Sequence, residues 1–166
     1  MTRINKDQRQ SSQLRQLALP VPPNACRLLF QKMIMYTIND RLQAVGFSAN
    51  QLLALDNKLT QAMHLNAFIA VINHEWQFFG NAEIYNPINR YWTKSTTSAE
   101  SCLSIPNKIY NVKRKVGIDI TYLDKYGKQK TGRFVDYEAR IIQHEMDHLK
   151  GILISDIGKE IKKETK

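Results

Sequence analysis

"QHEMDHLKG", residues 143–151, holds two of the four histidines of the chain, His144 and His148. They stand four positions apart. Ile141, Ile142, Met146 and Leu149 recur around them at helical spacing, which predicts a helix from about Val135 to Lys150. Gly151 is well placed just past its end. On a helix, residues i and i+4 share a face, so both imidazoles can reach one metal ion. Glu145 points to the side of that face, near the metal without being forced to ligate it. This is the His-Glu-x-x-His arrangement: two ligands and a carboxylate able to take a proton from water at the metal. The plainer alternative is the polar face of an ordinary helix. A chance match to three fixed residues arises at roughly one in several thousand positions, so the metal reading is preferred.

Two histidines do not complete a catalytic centre, which usually has three protein ligands and an open position. Cys102, Cys26, His64, His74 and the carboxylates are all candidates, and spacing does not choose among them. Cys26 would lie in the first turn of a long helix, where a packed core thiol is the simpler role. Lone histidines such as His64 and His74 are more often surface residues than ligands.

The bulk properties set bounds. A chain of 166 residues with 43% hydrophobic residues is expected to form one domain with a sizeable core. The first twenty residues contain no apolar stretch of signal-peptide length. No apolar run approaches the roughly 20 residues of a membrane span, so no membrane association is expected. Two cysteines do not make a disulfide framework. As thiolates they would be soft ligands for zinc or iron. The formal charge of +9 favours contact with nucleic acid or ribosomes, or serves solubility. Lys and Arg are dispersed and no nucleic-acid-binding motif is present, so specific DNA binding is not expected.

Along the chain, residues 1–16 read as a loose polar arm and "LALPVPPN", 17–24, as an extended proline-rich segment. Asn24 is a candidate N-cap for a helix to about residue 43, with Leu28, Leu29, Ile34, Met35, Ile38 and Leu42 as its apolar set. "NAFIAVINHEW", 66–76, and "NAEIYNPINRYW", 81–92, read as strands. "STTSAESCLSIPN", 95–107, reads as a loop. "VGIDITYLD" and "QKTGRFVDY" read as a hairpin around Gly127. Strands in the middle and helices near both ends give an α+β layout. The expectation is small antiparallel or mixed sheets packed around a central helix that carries the metal motif, in one domain over 1–166 with a short basic tail at 158–166.

"ESCLS", 100–104, upstream of "QHEMDHLKG", resembles the second and third motifs of the peptide deformylase family, Glu-Gly-Cys-Leu-Ser and His-Glu-x-x-His. "AVGFSANQ", 44–51, is similar to the family's first motif, Gly-x-Gly-Leu-Ala-Ala-x-Gln. The resemblance extends over roughly residues 13–157. It implies a metal held by Cys102, His144 and His148, with Glu145 as general acid and base. It implies that the Gln51 amide and the Leu103 backbone N–H hold the oxygen of a formyl group. It implies that Glu100 pairs with Arg114, and that Val45, Gly46 and Ile141, with the ring of His144, line the methionine pocket and peptide groove. The implied cofactor is one divalent ion, Fe²⁺ as the native choice, readily replaced by Zn²⁺, Ni²⁺ or Co²⁺. The implied activity is removal of the formyl group from formyl-methionine on nascent polypeptides.

Three positions depart from the motifs. Ala44 stands for the first Gly, Ser48 for an Ala, and Ser101 for the Gly before the cysteine. Ser101 puts a side chain where a substrate backbone would pass, so substrate preference is the property it touches. Relatives in bacteria often carry a longer C-terminal helix that docks on the ribosome; ribosome contact here would fall to the basic tail and surface. The alternatives are a zincin-like peptidase on the same helix, or a weakly active deformylase-like protein that binds formyl peptides or ribosomes. A cytoplasmic setting is expected, with an organellar or phage-encoded origin equally compatible with the chemistry.

Overall fold

The computed structural model describes residues 9, 11–39, 44–55, 64–85 and 93–162. Two antiparallel sheets carry the fold. The larger has the order β1 (Gly46–Ser48), β2 (Ala67–Ile72), β3 (Glu75–Ile84), β6 (Gly117–Leu123), β7 (Gln129–Val135). The smaller consists of β4 (Ser95–Cys102), β5 (Ile105–Lys115) and the two-residue β8 (Lys159–Glu160). Among the described residues every strand pair is antiparallel, and the one parallel contact is an isolated bridge between Leu19 and Leu65. The mixed-sheet option therefore falls away.

The larger sheet is covered on both faces, and this explains the apolar run "AFIAVI". Successive side chains on a strand point to opposite faces. Phe68, Ala70 and Ile72 pack with Phe79, Ile118, Phe134 and the helix residues Ile142, Met146 and Leu149. Ala67 and Ile69 pack the other way, with Cys26, Leu29, Met33 and Phe78. The helix that covers the first face is α3 (Asp136–Leu149), and the one that covers the second is α1 (Cys26–Asn39). Full burial of one such side chain, for example Ile142, contributes about 1.5–3 kcal/mol.

Several expectations change. The 66–76 strand breaks at Asn73 and His74, whose φ values of 50° and 67° form a two-residue turn into β3. The second strand accordingly starts at Glu75, not at 81, and residues 86–92 lie outside the described ones. Residues 95–102 are strand β4 and not loop; the run Ser95–Ala99 of small, exposed residues lies along the sheet edge, paired to β5. Asn24 does not cap α1. It sits in a 3-10 turn, Pro23–Ala25, that leads into Cys26. The buried face of α1 is Cys26, Leu29, Met33 and Thr37, whereas Leu28, Met35 and Ile38 are exposed; the end of the expected helix, 40–43, lies outside the described residues.

Residues 11–16 are not a loose arm. Leu14 is fully buried beside Leu153 and Ile154, and Arg15 pairs with Asp156 and donates to Gly151 O at 3.2 Å. Residues 1–8 and 10 lie outside the described ones. The start of the tail likewise pairs with β5 through β8, while 163–166 lie outside. Among the described residues, no helix is long and apolar enough to cross a membrane.

α3 contacts β1, β2, β6 and β7 of the larger sheet and β5 of the smaller one. It ends in a Schellman motif: Gly151 N–H donates to His148 O at 3.0 Å and Ile152 N–H to Asp147 O at 2.9 Å. Gly151 has φ 73°, and a Cβ there would stand 2.6 Å from Arg15 O. α2 (Ala49–Leu55) follows β1 directly, so residues 45–51 lie alongside α3.

Candidate active site

His144 and His148 lie one turn apart on α3, with ring centroids 5.0 Å apart. Cys102, the last residue of β4, brings its Sγ to 3.2 Å from His148 Nε2. One donor atom from each of Cys102, His144 and His148 lies within 4.8 Å of the others. A thiolate and two imidazoles are a donor set suited to zinc or iron with one open position. These residues therefore fit a divalent metal. Cys26 is buried in a different cluster and takes no part. His64 is also buried, contrary to the surface role expected of it, and both of its ring nitrogens lack partners among the described residues. His74 is exposed in the β2–β3 turn.

Four donors hold the Glu100 carboxylate. Arg114 reaches both oxygens, Nε to Oε1 and Nη2 to Oε2, at 3.0 Å each. Arg140 Nη1 donates to Oε1 at 2.7 Å. His144 Nδ1 donates to Oε2 at 2.9 Å, because an ionised carboxylate only accepts. This leaves His144 Nε2 free to ligate. Burial alone would raise the Glu100 carboxyl, but the hydrogen bonds from His144 and Arg114 outweigh it and hold it at about 2. Arg114 also pairs with Asp147 on α3.

Burial would push the Cys102 thiol up. The charge of His148 and hydrogen bonds from His144 and His148 prevail and hold it well below its ordinary value. Burial likewise opposes a charged His144, yet Cys102 and Glu100 raise it well above the usual imidazole range. Both shifts run in the direction that favours a thiolate beside a charged imidazole, and metal binding at such a group competes with its proton.

Glu145 is buried, and its Oε2 has no hydrogen-bond partner among the described residues. Burial pushes its carboxyl up to about 7, although the charges of His144 and His148 pull the other way. Gly46 makes room for it: a Cβ at residue 46 would collide with Glu145 Oε1 and lie 2.9 Å from Cδ. Gln51 is buried next to Cys102. Its Oε1 accepts from Ser48 N–H at 3.0 Å and from Ser48 Oγ at 3.2 Å. Its Nε2 donates to Ser104 Oγ at 3.2 Å and lies 3.9 Å from Cys102 Sγ.

These residues border a cleft of about 440 Å³. Val45, Gly46, Gln51, Glu100, Ser101, Cys102, Leu103, Ile141, His144 and Glu145 all line it. His148 and Arg114 are buried and do not line it. Ser101 is exposed and Ile141 buried. Opposite Cys102 the β4–β5 register slips: Ser101 pairs with Ile109, but Cys102 pairs with Ile105. Pro106, Asn107 and Lys108 bulge out at the cleft rim, with Asn107 at φ 65°.

The family model described as Polypeptide deformylase matches residues 1–164. The chain belongs to that family. A curated peptide deformylase of Orientia tsutsugamushi (strain Boryong) is 46% identical over 80 residues, 48% of this chain and 44% of that protein. A peptide deformylase of Pelotomaculum thermopropionicum is 39% identical over 84 residues, 51% of this chain and 54% of that protein. The matched segment thus spans about half the length of these curated relatives. Among solved structures, the peptide deformylase from Thermotoga maritima aligns with TM-score 0.73 at 25% identity, covering 89% of this chain and 92% of that one. A class I type b peptide deformylase from Acinetobacter baumannii aligns with TM-score 0.73 at 25% identity, covering 88% and 93%.

Sequence reasoning missed Arg140, Ser104 and Asn50 as parts of this deformylase-like centre. Asn50 Nδ2 donates to His148 O at 2.7 Å and to Gln16 O at 3.3 Å. A signal for Arg140 did exist: it lies four residues before His144, on the side of α3 that turned out to be buried.

Proposed function

We propose that this chain hydrolyses the N-formyl group of peptides beginning with formyl-methionine. The observation that carries the reading is the buried Glu145 carboxyl beside three convergent soft donors at a cleft. Cys102 Sγ, His144 Nε2 and His148 Nε2 would hold the divalent ion. When bound, that ion supplies Lewis acidity: it polarises a carbonyl and lowers the pKa of water.

The residues then divide the work. Glu145 accepts a proton from the attacking water, and burial suits it to exchange protons near neutrality. As the water oxygen adds to the formyl carbon, negative charge moves to the formyl oxygen. The second hydrogen on Gln51 Nε2 and the Leu103 N–H are the donors for it; one such donor is worth about 3–4 kcal/mol of barrier. Glu145 returns its proton to the amine nitrogen as the C–N bond breaks, and formic acid leaves, giving up its remaining proton to the free amine or to water to become formate. Val45, Gly46, Ile141 and the His144 ring form the methionine pocket and groove. Glu100 and Arg114 support His144, and Ser101 on the cleft wall tunes substrate preference.

On this reading residues 1–166 act as one unit around α3, with Fe²⁺ as the native ion and zinc, nickel or cobalt as substitutes. Action on nascent chains in the cytoplasm, near the ribosome, follows from the substrate; the +9 charge is compatible with ribosome contact. The test is formate release from formyl-Met-Ala-Ser by anaerobically prepared protein, with metal analysis of the same sample. Absence of formate release from metal-loaded protein overturns the proposal. Cleavage of an unformylated peptide would point instead to a peptidase.

A further inference from the structure

Two arginines grip Glu100, and they come from different elements. Arg114 lies on β5, in the same sheet as Glu100; its Nε and Nη2 grip the carboxylate, and it meets α3 through Asp147, about one turn beyond His144. Arg140 lies on α3, one turn before His144, and is nine-tenths buried. Its Nη1 donates to Glu100 Oε1 at 2.7 Å and to Val112 O at 3.0 Å. Its Nη2 donates to Thr96 O at 3.1 Å and to Thr96 Oγ1 at 3.3 Å. Arg140 and His144 share a helix face and take the two different oxygens of one carboxylate.

We propose that Arg140 is a positioning residue for the metal site: it sets the Glu100 carboxylate relative to α3, so that Oε2 holds His144 Nδ1–H and Nε2 faces Cys102 and His148. The inference rests on the metal reading given above. Other contacts keep α3 docked without Arg140. Asp147 pairs with Arg114, and Gln143 bonds the Lys115 N–H and carbonyl at 3.0 Å each. Removing Arg140 therefore loosens the acceptor of His144 rather than the helix. A ligand whose ring is no longer held in one orientation and tautomer binds its metal more weakly.

The experiment is chelator competition for Zn²⁺ on the metal-free chain, alongside its thermal midpoint. Arg140→Met is expected to lower Zn²⁺ affinity by about ten- to a hundredfold, the usual effect of losing a group that orients a ligand. Arg140→Lys keeps one donor and should recover part of that loss, and it serves as the readable variant where Arg140→Met does not fold. Thr96→Val removes only the hydroxyl contact at the far end of the same guanidinium and should leave affinity unchanged. Unchanged affinity in both Arg140 variants overturns the inference, as does an equal loss in Thr96→Val, which would make Arg140 a general latch. Absence of Zn²⁺ binding by the unsubstituted chain overturns the metal reading and this inference together. Zn²⁺ binding without formate release defeats only the proposed reaction.

Discussion

Ser48 donates twice to one atom of Gln51: its N–H and its hydroxyl both reach Oε1, at 3.0 and 3.2 Å. A backbone N–H can only donate, so the acceptor must be the amide oxygen and Nε2 must face Ser104 and Cys102. Ser48→Ala keeps the first bond and loses the second. A single neutral hydrogen bond is worth about 1 kcal/mol, so kcat for formate release should fall about fivefold with KM little changed. Gln51→Ala removes the donor itself and should cost about 10²–10³ in kcat. Equal rates for Ser48→Ala and the unsubstituted chain would show that the hydroxyl does not orient the amide.

Gly46→Ala tests the close approach of β1 to α3. The added methyl meets the Glu145 carboxylate and its Cγ and Cδ, the last two at 2.9 Å. Overpacking of this kind typically costs about 1–3 kcal/mol, and here the group displaced is the proposed base. The expected result is a large loss of kcat with a modest drop in melting temperature. Retained activity would mean that Glu145 has room to move and that its placement is not set by Gly46.

Cys102→Ala and Glu145→Gln should separate metal binding from proton transfer. Both are expected to abolish formate release. Only the first should lose the metal, read by metal analysis after dialysis. Loss of metal from both would place Glu145 among the ligands and remove it as the proton carrier.

Glu100 gives a prediction in pH. Its carboxyl is held at about 2, below the ordinary 4.5, so its contribution to stability is complete above about pH 4.5. That contribution is lost as pH falls from about 4.5 through 2, and it amounts to roughly 3 kcal/mol. Urea unfolding of the metal-free chain between pH 6 and 2 should show a steeper loss than Glu100→Gln over the same window. Parallel curves would remove the Glu100 cluster as the source of acid sensitivity.

α3 was legible because a period of 3.6 residues leaves a local trace: His144, Glu145 and His148 can be placed on a helix from nine residues of sequence. Cys102 and Gln51 were reachable only through motif resemblance, since contacts across some 40 or 50 residues leave no periodicity. β4 was misread because Ser95–Ala99 is a run of small residues with no apolar–polar alternation; what makes it a strand is the ladder to β5. The face of α1 was misjudged for a related reason. Leu28, Met35 and Ile38 are as hydrophobic as the residues that face the sheet, so composition does not tell one side from the other. Arg140 escaped notice because its partners, Glu100, Val112 and Thr96, are all on other elements.

His148 occupies the last turn of its helix, where backbones open most readily. Here that turn is shut from outside. Ala18 N–H donates to Leu149 O at 2.9 Å, Asn50 Nδ2 bridges His148 O and Gln16 O, and Arg15 reaches Gly151 O. A strut from residues 15–18 thus braces the far end of the helix that carries the two proposed histidine ligands. Damage at residues 14–18, though remote in sequence from the proposed ligands, is expected to show as faster amide exchange around residues 148–152 and weaker retention of an added divalent ion.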